Sequence, residues 1–575
     1  MRNKEIADIF YEMADLLDAQ GVQWKPAAYR KAARSVESLP EPVEDVYARG
    51  GVKALRGIAG VGEGIAAKIE EYLKTGKIRE FERIRSKVPA AVTALMGIEG
   101  MGPKRAILLH KKLKINSIAD LKKAVEQHKI SRLQGFGPKS EQNIAENIRM
   151  FERGHERMLL GEALPLARSI IGRLKKLKEV KQIQYAGSIR RGKETIGDID
   201  ILATSSKPGK VMDTFVSLPE VSRVLAKGPT KSTVILKNNR QADVRVLHDR
   251  EFGAALQYFT GSKDHNIALR KIAIAKSYKL SEYGLLSRRT GAFVAGRTEE
   301  EIYRKLGLRY IEPELRENSG EIEAAKAGKL PQLVKLSDIK GDLQMHTKWS
   351  DGSNTIEEMA QAARALGYGY ICITDHSKSE HIAHGMDEQR LEKYIEAVRL
   401  AAKKFRDIKI LVGAEVDILA DGSLDYPDDI LKRLNLVIAA VHTGFKQPAA
   451  AMTRRVLKAL ENKNVDIFGH PTGRIINVRN PINLNIGEVI KVAAARGVVL
   501  EVDALPERLD LKDTDVREAV EHGCKIAIDT DAHDKNQLRY MEYGVLTARR
   551  GWAEAKDVVN TYPYGKLKKV FRKLR

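Results

Sequence analysis

Cysteine is nearly absent: the chain of 575 residues holds two, Cys372 and Cys524. A disulfide framework is thereby excluded, and a reducing cytoplasm is the compartment that fits. Long apolar runs are missing too. Nothing approaches the roughly 18 consecutive apolar residues of a membrane-spanning helix, so no membrane partner is expected. The opening segment, MRNKEIADIFYEMADLL, has acids spread through its apolar residues. That pattern reads as an amphipathic helix and not a signal peptide. There is no low-complexity tract. With 43% apolar and 30% charged residues, the composition is that of soluble globular protein. The length is too great for one core, and about three to five folding units are expected.

What is abundant is positive charge. Lys and Arg number 99 against 76 Asp and Glu, a net +23. The excess is uneven: +8 over residues 1–150, +13 over 151–337 and +2 over 338–575. Lysine and arginine neutralise phosphates and release their counterions, so a basic front two-thirds points to nucleic acid.

Residues 1–150 have helical periodicity broken by glycine turns: Gly60-Val61-Gly62, Gly100-Met101-Gly102 and Gly135-Phe136-Gly137. Each turn precedes a helix. Glycine permits a left-handed backbone and exposes N–H groups that a phosphate can approach closely. One Gly-x-Gly often only ends a helix. Three in a basic segment favour the helix-hairpin-helix device, which grips DNA backbone without reading sequence.

Short β-type runs follow, among them Gln182 to Ala186 and Ile199 to Leu202. Residues i and i+2 of a strand share a face, so Asp198 and Asp200 project side by side. Adjacent carboxylates repel unless a cation lies between them, and Mg²⁺ or Mn²⁺ is the hard ion that suits them. Asp243, within a second β-type run, completes a trio able to hold two ions roughly 3.5–4 Å apart for in-line phosphoryl transfer. The preceding Gly187-Ser188 turn offers donors to a triphosphate, and Arg191 adds charge-assisted bonds. The bland alternative is a pair of solvated acids on an edge strand.

From residue 338 onward, strand-like runs alternate with helical periods: Tyr370 to Thr374, Ile410 to Ala414, Leu436 to Val441, Val498 to Val502 and Ile526 to Ile528. This rhythm predicts a parallel α/β layout. Candidate ligands fall at the strand ends: Gln344, His346, Asp351, His376, Glu415, His442, His470, Asp531 and His533. Imidazoles mixed with carboxylates suit Zn²⁺ or Mn²⁺. Ligands at the carboxyl ends of parallel strands converge on one mouth, as in an α/β barrel.

Taken together, the Gly-Ser turn, the Asp-x-Asp and the segment Tyr258-Phe259-Thr260-Gly261-Ser262, with Asn266 and Arg270 beyond it, resemble the family X DNA polymerases over residues 1–318. The resemblance implies that Ser188 and Arg191 bind the triphosphate. Asp198 and Asp200 would ligate both metals, and Asp243 would activate the primer 3′-hydroxyl. Tyr258, Phe259 and Gly261 would pack against the nucleotide sugar, Asn266 would touch the base edge and Arg270 the template side. Lys263 departs from the polymerase-beta type, which has an acid there. The resemblance extends to Trp24 through Ala33, with Trp24 stacking on a template base and Lys25 and Tyr29 near the 5′-phosphate. Lys68 falls on the Schiff-base lysine of a 5′-deoxyribose-phosphate lyase. Gly64 and Glu80 replace two phosphate-binding lysines, so Lys68 reads either as that nucleophile or as a backbone-phosphate contact.

The C-terminal motifs Gly341 to His346, Ser350-Asp351-Gly352, Ile373 to His376, Gly469-His470-Pro471 and Asp529 to His533 resemble the PHP phosphoesterase domain. That implies up to three metals and 3′–5′ exonuclease or abasic-site endonuclease action. Gln344 stands where the family usually has histidine. A structural, nuclease-inactive domain serving as a DNA-end scaffold is the alternative. The expected architecture is a lyase-like helical domain (1–85), a helix-hairpin-helix subdomain (86–150), an α+β palm (151–250), a thumb-like subdomain (251–318), a linker (319–337) and a distorted PHP barrel (338–575). The expected role is gap filling in DNA repair by a monomer acting on gapped or primer-template DNA and deoxynucleoside triphosphates.

Overall fold

The computed structural model describes every residue except 1, 20, 38, 40–41, 86–91, 93–94, 96–100, 102, 134, 155–156 and 575. The chain forms two compact units. The first comprises residues 1–157, 235–240 and 266–295, and the second residues 158–234, 241–265 and 296–575. Among the described residues no helix is long and apolar enough to cross a membrane.

The first unit is built on amphipathic helices. In the helix Arg2–Ala19, Ile6, Phe10, Met13 and Leu17 recur at helical spacing and are all buried. They pack with Tyr29 and Val36 of Lys25–Glu37, Leu55 of Val43–Leu55, Ile69 of Glu63–Thr75 and Phe81 of Arg79–Arg85. A second core gathers Leu109, Leu121, Phe136, Ile144 and Ile148 from Pro103–Leu113, Ile118–Glu126, Pro138–Gly154 and the turn before that last helix. Ser117 caps Ile118–Glu126, its hydroxyl accepting from the Asp120 N–H at 3.1 Å. The unit also holds a three-stranded antiparallel sheet of Tyr278–Ser281, Gly284–Ser287 and Phe293–Ala295.

In the second unit a five-stranded sheet has the order Val180–Tyr185, Ile199–Ser205, Gln241–Leu247, Lys231–Leu236, Val221–Lys227. Ile199–Ser205 and Gln241–Leu247 run parallel with Asp200 opposite Asp243. A seven-stranded parallel sheet follows. Its strands keep chain order: Gly341–Asp342, Tyr370–Ile373, Lys409–Asp417, Leu436–Ala440, Ile467–Phe468, Val499–Asp503 and Ile526–Asp529. A bridge between Met345 and Ala532 joins the first strand's extension to the last, closing a distorted barrel. Its central strands are buried end to end, as parallel strands covered on both faces must be. At the amino ends of the strands, Tyr562, Leu567, Phe571 and Leu574 pack on Tyr370, Leu436 and Val499 and plug the barrel. The opposite mouth is left for the ligand candidates.

Residues 319–337 lead from the thumb-like segment into the barrel. They contain the helix Glu321–Ala327, and Glu321 accepts from both the Asn318 and Ser319 N–H groups while its Oε1 lies 2.6 Å from His265 Nδ1. Val334 is buried and bonds to the Ala553 carbonyl at 3.0 Å.

Candidate functional site

The parallel pairing that sets Asp200 opposite Asp243 brings the two carboxylates together, with Asp198 two residues upstream. The charge is crowded. Burial, then the Asp198 and Asp243 carboxylates, push the Asp200 carboxyl up to about 7. Arg245 and Lys231 offset part of that charge. Asp243 is fixed by the Thr233 hydroxyl, by Gln241 Nε2 donating at 3.1 Å, and by Lys231 Nζ at 3.8 Å.

The Gly-Ser turn is held against this trio. Ala186 N donates to the Asp200 carbonyl at 2.8 Å, and Gly187 turns with φ +61°. A Cβ at Gly187 would lie 2.8 Å from Asp200 Oδ2, so only glycine allows this approach. Ser188 lies on the short helix Gly187–Arg190, which Arg191 caps. Arg191 donates from Nη1 to the Thr260 carbonyl at 2.5 Å and from Nε to Glu317 at 3.0 Å. Tyr258 and Phe259 meet edge to face, centroids 5.1 Å apart, with the Arg245 guanidinium 4.6 Å from the Phe259 centroid. Gly261 has φ +70°. Asn266 and Arg270 lie on the helix Lys263–Ala275. Arg245 and Thr233 were missed from the sequence. Arg245 had a signal, since it shares a strand face with Asp243.

The barrel mouth gathers a second centre around Glu415, which is 1% exposed. Its Oε1 lies 2.8 Å from His470 Nε2 and 3.2 Å from His442 Nε2. Its Oε2 lies 3.2 Å from His376 Nδ1 and 3.4 Å from His346 Nε2. Asp531 Oδ1 is 2.9 Å from His346 Nε2, and Asp351 Oδ1 is 3.3 Å from His533 Nε2. Four sets of ligand atoms thus converge among the described residues: His346, Asp351, His376 and His533; His376, Glu415 and His442; His346, Glu415 and Asp531; and Glu380, Asp417 and His442. Burial, then the His346 imidazole, push His376 down to about 3, into the neutral form that ligates metal. Glu415 is lowered well below the usual carboxylate range, against its burial, by His442 and His376. His346 Nδ1 and Nε2, His376 Nδ1 and Glu415 Oε2 are buried without hydrogen bonds. Buried polar atoms left in this state fit ligands awaiting a cation. His470 and Asp531 hold left-handed φ of +25° and +47°, backbone strain of the kind that collects at functional sites.

Gln344, fully buried, donates from Nε2 to Asp531 Oδ1 at 3.4 Å, while its Oε1 has no hydrogen bond. Around these ligands lies an outer shell, of which Asp417 and Glu501 were not read from the sequence. His442 Nδ1 meets Asp417 Oδ1 at 2.5 Å, and Glu501 accepts from the His470 N–H at 2.5 Å. Asp375 organises the mouth loop by accepting from Thr347 and Ser350. The only signal for Asp417 was its i+2 relation to Glu415.

In the first unit, Gly60 has φ +80° and Gly62 caps Glu63–Thr75, with Ala66 N donating to the Gly62 carbonyl at 2.9 Å. Gly135 has φ +90°, and Glu141 N donates to the Gly137 carbonyl at 3.0 Å. Both are glycine turns opening a helix. The turn at Gly100 and Gly102 lies outside the described residues. Trp24 is 86% exposed, with φ +67°. Lys68 Nζ pairs with Glu80 at 2.8 Å and lies 5.9 Å from the Tyr29 centroid, while Lys25 Nζ reaches Glu80 at 4.0 Å. Burial would lower the Lys68 pKa, but Glu80 and Tyr29 outweigh it and raise it.

Family models match in succession along the chain. They are a helix-hairpin-helix domain (residues 1–78), a SAM-like helix-hairpin-helix tandem (92–150), a DNA polymerase beta palm (157–237), a DNA polymerase beta thumb (255–317) and a PHP domain (342–504). The chain is 37% identical over 563 residues to the DNA polymerase/3′-5′ exonuclease PolX of Bacillus subtilis (strain 168), covering 97% of each. It is 30% identical over 244 residues to a probable phosphatase of Thermoanaerobacter sp. (strain X514), 40% of this chain and 94% of that one. It is 25% identical over 339 residues to DNA polymerase lambda of Rattus norvegicus, 54% of this chain and 56% of that one. Matched along nearly its whole length, the chain belongs to the family X DNA polymerases that carry a PHP domain.

Proposed function

We propose that the chain fills short gaps in DNA by template-directed nucleotidyl transfer and trims 3′ ends at its barrel mouth. The observation that carries the reading is the pairing of Asp200 with Asp243 beneath a glycine turn that bears Ser188 and Arg191. The Bacillus subtilis relative, named as a polymerase and a 3′-5′ exonuclease, supports it.

Asp198, Asp200 and Asp243 would hold Mg²⁺ or Mn²⁺. Bound there, the ions supply acidity to the primer 3′-hydroxyl and charge to offset the leaving pyrophosphate. Asp243, steadied by Thr233 and Gln241, presents a fixed oxygen to the proton that the primer hydroxyl must lose. Ser188 and Arg191 grip the triphosphate. Tyr258 and Phe259 form a wall for the sugar, Asn266 reads the base edge and Arg270 the template side. Positioning of this sort is most of what a protein contributes to phosphoryl transfer. At the barrel mouth, Gln344, His346, Asp351, His376, Glu415, His442, His470, Asp531 and His533 would hold Zn²⁺ or Mn²⁺. The metals supply water activation and polarise the scissile phosphate. Gln344 orients Asp531 and keeps its oxygen for a harder ion. The glycine turns at Gly60-Gly62 and Gly135-Gly137, with Trp24, Lys25 and Tyr29, grip gapped DNA, and Lys68 acts there as a charge.

The test uses a 5′-labelled primer with a 3′ mismatch annealed across a one-nucleotide gap, with Mn²⁺, with and without deoxynucleotides. Shortening without nucleotides that His346→Ala stops, and extension of a matched primer that Asp200→Ala stops, are the expected results. A primer that extends but never shortens would overturn the nuclease half. An internal abasic site in the same assay tests endonuclease action at the same mouth.

A further inference from the structure

We infer that the C-terminal barrel acts on the nucleotide site: Arg550, working through Glu317, positions Arg191 for the triphosphate. The inference rests on the reading of Arg191 as a triphosphate ligand.

Arg191 is held at two of its side-chain nitrogens, Nε by Glu317 Oε1 at 3.0 Å and Nη1 by the Thr260 carbonyl. The guanidinium is thereby laid against the Tyr258–Gly261 segment, where a Cβ at Gly261 would come within 3.1 Å of Nη1. Glu317 is held in turn by a residue of the barrel. Arg550, at the end of the barrel helix Met541–Arg550, donates from Nη1 to the same Glu317 oxygen at 3.0 Å. That nitrogen also donates to the Arg191 carbonyl at 2.9 Å, while Nη2 is anchored on Asp513 at 2.5 Å. The Arg550 side chain is 4% exposed, and Lys193 Nζ lies 3.9 Å from Glu317.

The same helix presses on the nucleotide turn directly. Gly192 has φ +62°, and a Cβ there would lie 3.2 Å from Leu546 Cβ. One barrel helix therefore touches the turn by a backbone bond and an ionic relay, and Leu546 leaves little room for a side chain at Gly192.

The relay has a physical logic. An arginine must meet phosphate in a fixed plane to form charge-assisted bonds, and orienting it beforehand lowers the entropy cost of binding. Glu317 provides that orientation, but a carboxylate facing Arg191 alone would close on it as a bidentate pair and compete with the triphosphate. Arg550 and Lys193 share the charge, so Arg191 is aimed without being sequestered.

The test is steady-state gap filling by the full-length protein. Arg550→Ala and Glu317→Gln are expected to raise the deoxynucleotide KM about 5–20-fold with kcat within about 2-fold, a coupling of ordinary size between linked sites. Arg550→Lys restores most of the KM, and mismatch excision at the barrel mouth is unchanged. If both KM values stay at the wild-type level while Arg191→Ala raises it, the relay does not exist. If Arg191→Ala itself leaves KM alone, the underlying reading of Arg191 fails instead. Equal losses of kcat, excision and thermal stability in both variants would reduce Arg550 and Glu317 to structural residues and overturn the proposal.

Discussion

A lysine attacks a sugar aldehyde only in its neutral form, and Lys68 is paired with Glu80 at 2.8 Å. The pair raises the Lys68 pKa, so the neutral fraction at pH 7 is small and grows only as pH climbs toward the raised value. Borohydride trapping on a 5′-deoxyribose-phosphate end should therefore be weak at neutral pH and increase at alkaline pH. Glu80→Gln removes the charge that stabilises the ammonium, so the onset of trapping should move to lower pH. Trapping that ignores Glu80→Gln would mean that another amine attacks. At the second centre, Asp417 Oδ1 meets His442 Nδ1 at 2.5 Å and holds the ring with Nε2 toward Glu415. Asp417→Asn should cost about 10–100-fold in excision or in the Mn²⁺ concentration needed for it. Gap filling should be untouched. An unaltered Mn²⁺ titration would rule out this orienting role.

The elements that carry chemistry were legible where spacing alone fixes a geometry. The strand runs from Tyr370 to Ile528 became parallel barrel strands, whereas Asp198 lies just ahead of the strand Ile199–Ser205 that carries Asp200. Gly341–Asp342 and Ile467–Phe468 were not legible as strands, because two residues are too few to set a period. The relay from Arg191 through Glu317 to Arg550 joins positions 126 and 359 apart in the chain, and no local pattern encodes such a contact. Within the elements, the glycine turn at 187 makes the sharpest prediction. A left-handed alanine costs about 1 kcal/mol or more, and its Cβ would meet Asp200 Oδ2 at 2.8 Å. Gly187→Ala should lower gap filling at least about 10-fold, a displacement effect on positioned reactants. Excision should continue. Full gap filling by this variant would show that the turn does not need to approach Asp200.

For the whole molecule, charge says how two chemistries share one substrate. Residues 1–337 carry +21 of the net +23, whereas the barrel segment carries +2. A nuclease mouth on a nearly neutral domain has little long-range hold on a polyanion, so the DNA grip must come from the basic portion of the chain. On the proposed reading the glycine turns supply that grip, and Lys139 lies at the start of the helix that Gly135-Phe136-Gly137 opens. Lys139→Ala should then weaken excision and gap filling together. It should also reduce the slope of log affinity against log salt by about 0.9, the loss of one phosphate contact. Affinity on its own would not separate a shared grip from two separate ones, but the slopes measured for the two activities would. If the slope for gap filling falls and that for excision does not, the barrel binds DNA by itself. Equal changes in both slopes would show that one phosphate contact serves both activities, as the charge distribution predicts.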